Sequence, residues 1–350
     1  MLGLKPESDR MLHLDLLRFA AAVAILVNHF LKATEGLDTT WSRSLVLAVD
    51  LFFVISGFVI SDVYADKVGT VAGVVTFLRK RVARLVPLHW ATMAAFVVLA
   101  AWTRVETTCA AQNLLLIHAW GMCERWSFNT VSWSISAEMG MYLLFPLIAP
   151  MVVKRSRAAL TAAVLIAIAL YALGPAGPRD RWWYNWTTEF GVIRALPSFL
   201  FGAALFGLRA ELARLPFARP ILYGGLAMFL GGAIADVPSG LLLPVLWVVA
   251  VAAVAADRQG HKGRGLLIIA SLAGLTYSLY MLHPVVGRVF ISILGEHVLQ
   301  LHGSALNGWV ALAVVPTFAL SWASYLWFEK PLRRWISGTD QPRSAPQPAT

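Results

Sequence analysis

LHLDLLRFAAAVAILVNHF, Leu12–Phe30, is an apolar run of membrane-spanning length, and it carries Arg18 and His29 inside it. Ionisable groups within such a run are costly, so they point to function by default. Eleven residues at ~100° each make three turns plus about 20°, which puts both side chains on one helix face, roughly 16 Å apart along the axis. One helix thus presents a cation and an imidazole at two depths of the same face.

The rest of the chain has the same character. Of 350 residues, 58% are hydrophobic and only 14% charged, where soluble domains carry about 25%. Ten apolar runs recur: Leu12–Phe30, Leu45–Tyr64, Leu88–Trp102, Val131–Val152, Ala158–Leu173, Val192–Leu208, Ala218–Ala235, Leu241–Ala255, Leu275–Leu294 and Trp309–Phe328. The expected fold is all-α, a polytopic integral membrane protein with about ten transmembrane helices in one bundle over residues 1–337. The tail 338–350, rich in Pro, Ser and Gln, reads as disordered. Asn113–Trp120 is too short to span, and Leu266–Gly274 is expected to be interfacial or re-entrant. The first run lacks a small-residue cleavage site, so no cleaved signal peptide is expected.

The net charge of +10 raises nucleic-acid binding, but the basic residues form no single patch. They recur between the apolar runs. With a cytoplasmic N-terminus, twenty of the 29 lysines and arginines fall in inside segments. The positive-inside rule therefore predicts both termini in the cytoplasm and no nucleic-acid partner. Cys109 and Cys123, the two cysteines of the chain, share one outside loop and are candidates for a disulfide. Asn185-Trp-Thr is a glycosylation-type tripeptide, more readily a chance match.

This topology sets the depth of each polar group. Arg18 lies toward the cytoplasm and His29 near the outer end of the first helix. Asp50 in the second helix and Glu138 in the fourth come to nearly the same depth as His29. Asp50 also reads as an interfacial cap, Glu138 as a partner for a buried Trp or Ser, and His29 as an interfacial residue. Three ionisable groups at one depth favour a functional layer. On the inner side, Arg81 and Arg84 share a face if their run is helical, and with Arg18 they suit an anionic ligand. Asp15, three residues before Arg18, competes as its partner. His283 lies mid-membrane ahead of Pro284, where it either bonds within the core or lines the groove together with Trp133, Ser136 and Tyr280.

Seven stretches together resemble the family-3 membrane acyltransferases, which include O-antigen, exopolysaccharide and nodulation-factor O-acetylases and macrolide acyltransferases. They are LDLLRFAAAVAILVNH (Asp15–His29 with its preceding Leu14), VDLFFVISGFVIS (Val49–Ser61), RVARLVPLHW (Arg81–Trp90), WSISAEMGMYLLFPL (Trp133–Leu147), RALPSFLFG (Arg194–Gly202), TYSLYMLH (Thr276–His283) and FEKPLRRW (Phe328–Trp335). The family's Arg-x10-His signature falls on Arg18 and His29, and its Arg-x-x-Arg motif on Arg81 and Arg84. Its second-helix aspartate falls on Asp50 and its post-Trp-Ser glutamate on Glu138. The sequence departs from the pattern at His89 and at Met139-Gly140. No appended esterase-like domain is expected.

The resemblance implies an acyl-coenzyme A donor, acetyl in the simplest case, and a hydroxyl acceptor on a surface carbohydrate, lipopolysaccharide or lipid-linked sugar. A macrolide-like metabolite is the alternative acceptor. Arg18, Arg81 and Arg84 would hold the donor's phosphates. His29 would act as general base or as a transient acyl carrier, with Asp50 or Glu138 orienting it. No metal is expected. The expected location is the bacterial inner membrane. A proton-coupled transporter is the rival from another class, but no internal repeat supports it.

Overall fold

The structure, a computed structural model, describes residues 11–176, 179–260 and 272–338. Fourteen α-helices occur among them. The first ten are α1 (Leu12–Leu31), α2 (Ala48–Tyr64), α3 (Val71–Leu99), α4 (Ala110–Leu114), α5 (Trp133–Lys154), α6 (Ser156–Ala172), α7 (Gly191–Gly207), α8 (Arg209–Leu212), α9 (Ala218–Ile234) and α10 (Ser239–Gln259). The last four are α11 (Thr276–Val286), α12 (Gly303–Leu312), α13 (Val314–Ser324) and α14 (Lys330–Ser337). Wider π-helical turns continue α11 through Gly287–Val298 and join α13 to α14 through Tyr325–Glu329. Leu266–Gly274 falls mostly, and the 338–350 tail almost wholly, outside the described residues.

Seven helical stretches are long and apolar enough to cross a membrane: Leu12–Leu31, Thr40–Tyr64, Val71–Leu99, Thr130–Lys154, Ser239–Gln259, Leu272–Val298 and Gly303–Ser337. Three shorter apolar helices, α6, α7 and α9, pack among them. The protein is an all-α polytopic membrane protein. The largest shift from the expected boundaries is in α3, which begins at Val71 rather than near Leu88. Thr70 starts it early, its hydroxyl accepting the Gly73 N–H at 3.1 Å. The basic run Arg79–Arg84 is therefore helical, and α3, at roughly 43 Å, outreaches the hydrocarbon core.

The start of α1 is tied to the end of α10. The Asp257 carboxylate accepts the backbone N–H groups of His13 and Leu14 at 2.8 and 3.2 Å, and lies 2.7 Å from the His13 ring. A carboxylate there satisfies orphan donors and complements the helix dipole.

Helix α2 runs through the centre and presents two distinct stripes. Asp50, Val54 and Gly57, spaced i, i+4, i+7, lie against α7. A Cβ on Gly57 would strike the backbone of Phe199 and Ala203, and one on Gly202 the backbone of Val54. The two backbones are thus in near contact, the close approach that small residues permit in membranes. The other stripe, Val49, Phe52, Ser56 and Ile60, faces a cavity. The 100–132 loop is closed on itself by the Cys109–Cys123 disulfide and fastened over α5 by the Ala119 N–H donating to Ser136 Oγ at 3.0 Å and by Trp120 Nε1 donating to the Ser136 carbonyl at 3.0 Å.

Candidate active site

The cavity, about 250 Å³, is enclosed by one face from each of five helices, α1, α2, α3, α5 and α11. Its lining on α2 runs from Val49 to Ile60, which at 1.5 Å per residue is a slot roughly 16 Å long. Arg18, Arg81 and Arg84 all face it. The helical periodicity of α3 brings Arg81, Arg84 and Leu85 to one side, as the three-residue spacing requires.

Among the described residues these cations make no ion pair tighter than 3.8 Å. Arg81 packs over the rings of Tyr64 and Tyr142, at 5.2 and 5.8 Å, and donates to Tyr64 OH at 3.2 Å. Its Nε is buried with no hydrogen-bond partner. Arg18 has Asp15 at a loose 3.8 Å and also feels Arg84 and Glu138. Arg84 is in turn within electrostatic reach of Arg333 and Glu329 from the C-terminal helices. Three guanidiniums around one volume, with Arg333 in electrostatic reach, repel one another, and an anion entering that volume relieves the repulsion.

Glu138 faces the middle of the cavity. It accepts from Ser56 Oγ at 2.6 Å and Tyr142 OH at 2.5 Å. Ser134 and Tyr280 close the opposite end, with their hydroxyls 2.8 Å apart. Tyr280 is a shared wall: it lines the cavity, and its ring lies 6.1 Å from that of His283. Phe52 packs edge-on against Tyr280 at 5.7 Å.

Beyond that wall stands His29. Its Nδ1 is 2.7 Å from Nε2 of His283, and the ring centroids are 4.9 Å apart. His283 is fully buried, and its Nδ1 lies 3.1 Å from the Leu279 carbonyl. His29, on the last turn of α1, is half-buried.

The expected layer of one imidazole and two carboxylates is therefore rearranged. His29 meets His283, and its recorded ring contact is with neither carboxylate. Asp50 is fully buried between α2 and α7, where it makes a two-pronged pair with Arg194: Nη2 to Oδ2 at 2.6 Å and Nε to Oδ1 at 3.2 Å. Arg194 also donates to the Trp186 carbonyl at 3.2 Å and lies 4.9 Å over the Trp133 ring. Trp133 thus serves that pair. Ser136 donates to the Leu116 carbonyl at 2.8 Å and so anchors the 100–132 loop. Neither lines the cavity, whereas Ser134 and Tyr280 do. The groove expected to run openly from Arg18 to His29 is divided by the Phe52–Tyr280 wall. Among the described residues no group of three or more His, Cys, Asp or Glu is placed to hold a metal.

The profile of the Acyl_transf_3 family, described as an acyltransferase domain, matches residues 11–326. The chain belongs to the acyltransferase-3 family. Acyltransferase MdmB of Streptomyces mycarofaciens is 33% identical to this acyltransferase-3 chain over 161 residues, 41% of the chain and 40% of that relative. The match thus spans about two fifths of the relative's length. No solved structure matches.

Sequence reasoning missed several residues of this acyltransferase-3 site. Arg194 opens the RALPSFLFG stretch, yet it reads as an outside-edge cation in a charge tally. Ser56, Tyr142 and Tyr277 line the cavity. Tyr142 follows Glu138 by four residues, a one-face spacing that points to it. Glu329 and Arg333 sit in FEKPLRRW, read as a helix-end motif, and only the fold brings them to Arg84.

Proposed function

We propose that this protein is a membrane O-acyltransferase that moves an acyl group, acetyl in the simplest case, from acyl-coenzyme A to a hydroxyl of a surface carbohydrate or lipid-linked sugar. The observation that carries the reading is a slot with three loosely paired guanidiniums at one end and a histidine pair just behind the other. Coenzyme A is polyanionic at its nucleotide end and thin along its pantetheine arm. Arg18, Arg81 and Arg84 suit the phosphates, and a slot of roughly 16 Å suits the extended arm. The positive-inside bias puts the arginines toward the cytoplasm, where the donor is made, with both termini on that side and the bundle in the bacterial inner membrane.

His29 takes the proton of the acceptor hydroxyl as its oxygen attacks the thioester carbonyl. The tetrahedral intermediate collapses, the C–S bond breaks, and the proton returns from His29 to the departing thiolate. The products are the acyl ester and free coenzyme A. For the thioester to reach His29, the rings of Phe52 and Tyr280 must part. Aromatic rings on α2 and α11 can do so by rotamer change, since neither is bonded to the other.

The test is covalent transfer. Proteoliposomes given labelled acetyl-coenzyme A and a glycan acceptor should yield labelled glycan. His29→Ala should abolish the label while leaving the protein inserted. Label that crosses the bilayer unattached would make the protein a transporter instead. The same assay with a hydroxylated macrolide separates the alternative acceptor class.

A further inference from the structure

We infer that His283 is a positioning residue that sets the tautomer of His29 and leaves Nε2 as the one basic nitrogen of that ring. The inference rests on the reading of His29 as the proton acceptor, but it is carried by a separate observation, a three-member hydrogen-bond chain. The Leu279 carbonyl can only accept. The His283 Nδ1 that faces it at 3.1 Å therefore carries the proton. In a neutral imidazole the other nitrogen then has the lone pair, so His283 Nε2 accepts. Its neighbour at 2.7 Å is His29 Nδ1, which must donate. That leaves the His29 proton on Nδ1 and the lone pair on Nε2.

Burial keeps this polarity. His283 is wholly enclosed, and charging it there without an acid partner is costly, so its ring rests neutral. The backbone ensures the first link. Leu279 lies one helical turn before His283 on α11, so the helix itself holds its carbonyl against the ring. The chain from Leu279 through His283 to His29 therefore has a single direction. When His29 Nε2 takes the hydroxyl proton, its Nδ1–H remains with His283 Nε2, and the bond strengthens as the His29 ring becomes cationic. No proton moves along the chain. The protons balance at Nε2 alone, gained from the acceptor and returned to the thiolate. The carboxylate that orients histidine in many hydrolases is here replaced by a second, backbone-anchored imidazole.

Histidine-¹⁵N NMR of the protein in bilayers, with His29 assigned by difference from His29→Gln, reads the tautomer directly. The wild type should show His29 with its proton on Nδ1. A proton on Nε2 would overturn the inference whatever the variants do. His283→Leu should release His29 to a mixture of tautomers and lower kcat by about 10²–10⁴-fold, the scale of general-base catalysis. The KM for the acyl donor should change by less than about threefold, since uniform binding is untouched. His283→Gln, whose amide oxygen can still accept from Nδ1–H, should recover kcat to within about tenfold of wild type and guards against a Leu variant that fails to fold. A folded His283→Leu protein with wild-type kcat, or with an unchanged His29 signal, would refute it. If His29→Ala itself remains active, the base assignment fails instead, and the tautomer measurement still stands.

Discussion

Two groups of arginines and carboxylates lie in this bundle, and they differ in what surrounds them. Between α2 and α7, Asp50 and Arg194 are sealed at 0% exposure, and every prong of the guanidinium is spent on the carboxylate or on backbone carbonyls. Around the cavity, Arg18, Arg81 and Arg84 face open volume, Arg333 lies within electrostatic reach of them, and Arg81 keeps a buried, unpartnered Nε. The first group is closed and self-sufficient, as a structural pair must be to offset its desolvation. The second is short of anions, as a binding site must be. Residue type does not tell the two apart; saturation does.

Breaking the closed pair should give the largest effect, and it should be on folding. Arg194→Ala leaves Asp50 buried and unpaired between two helices whose backbones already touch at Gly57 and Gly202. Loss of one partner from a buried pair costs about 3–5 kcal/mol, so the variant should scarcely accumulate in membranes by immunoblot. Asp50→Leu combined with Arg194→Met should restore much of the lost accumulation, because no charge is left stranded. If the double variant is inactive although it accumulates normally, the pair has a catalytic role that its geometry does not suggest.

The open group should respond in the opposite way. Arg81→Ala with Arg84→Ala should fold, since removing like charges relieves repulsion. The KM for acyl-coenzyme A should rise at least roughly tenfold, the scale of one charge-assisted hydrogen bond. An effect on acceptor affinity alone would remove coenzyme A from this end of the slot. Arg333→Ala should do the same more weakly, by about twofold to fivefold, because Arg333 is solvent-exposed and its charge is screened.

The comparison also explains how far the sequence could be read. Apolar runs and the distribution of lysine and arginine mark the helices, because lipid forbids unpaired backbone and the charge bias follows insertion. Depth follows from helix direction, and it puts Asp50 near the expected level of His29. Depth is one coordinate, however, and partner choice depends on the angle around the helix. Asp50 shares its stripe with Val54 and Gly57, and a glycine on that stripe is the mark of a helix packed close. The cavity stripe, Val49–Phe52–Ser56, begins one residue earlier and faces elsewhere. A single sequence shows both stripes but not which neighbour each one meets. That is why the sequence shows no partner for Arg194, nor for His283, expected mid-membrane, whose partner comes only from the packing of α1 beside α11. The slot's aromatic wall was invisible for the same reason.

A third buried polar cluster completes the contrast, because it is neutral and lies in the 100–132 loop. His118, itself within the Cys109–Cys123 loop, is buried, its Nε2 3.0 Å from Ser132 Oγ and its ring parallel to that of His89 at 6.0 Å. Burial first, and then the neighbouring His89, push His118 down from 6.5 to about 3. Between those two values the folded ring stays neutral, while the same ring in the unfolded chain takes up a proton. The unfolded state therefore binds more protons over this window, and stability rises with pH across it. The contribution is intact above pH 6.5 and is lost progressively as the pH falls toward 3. The thermal midpoint of the detergent-solubilised protein should fall from pH 7 to 4, and His118→Gln should fall less steeply, since its amide does not titrate but can still bond Ser132. The difference between the two slopes isolates His118 from the carboxylates that titrate in both proteins. Parallel slopes would mean that water reaches this ring, and that the disulfide loop is not the seal its contacts describe.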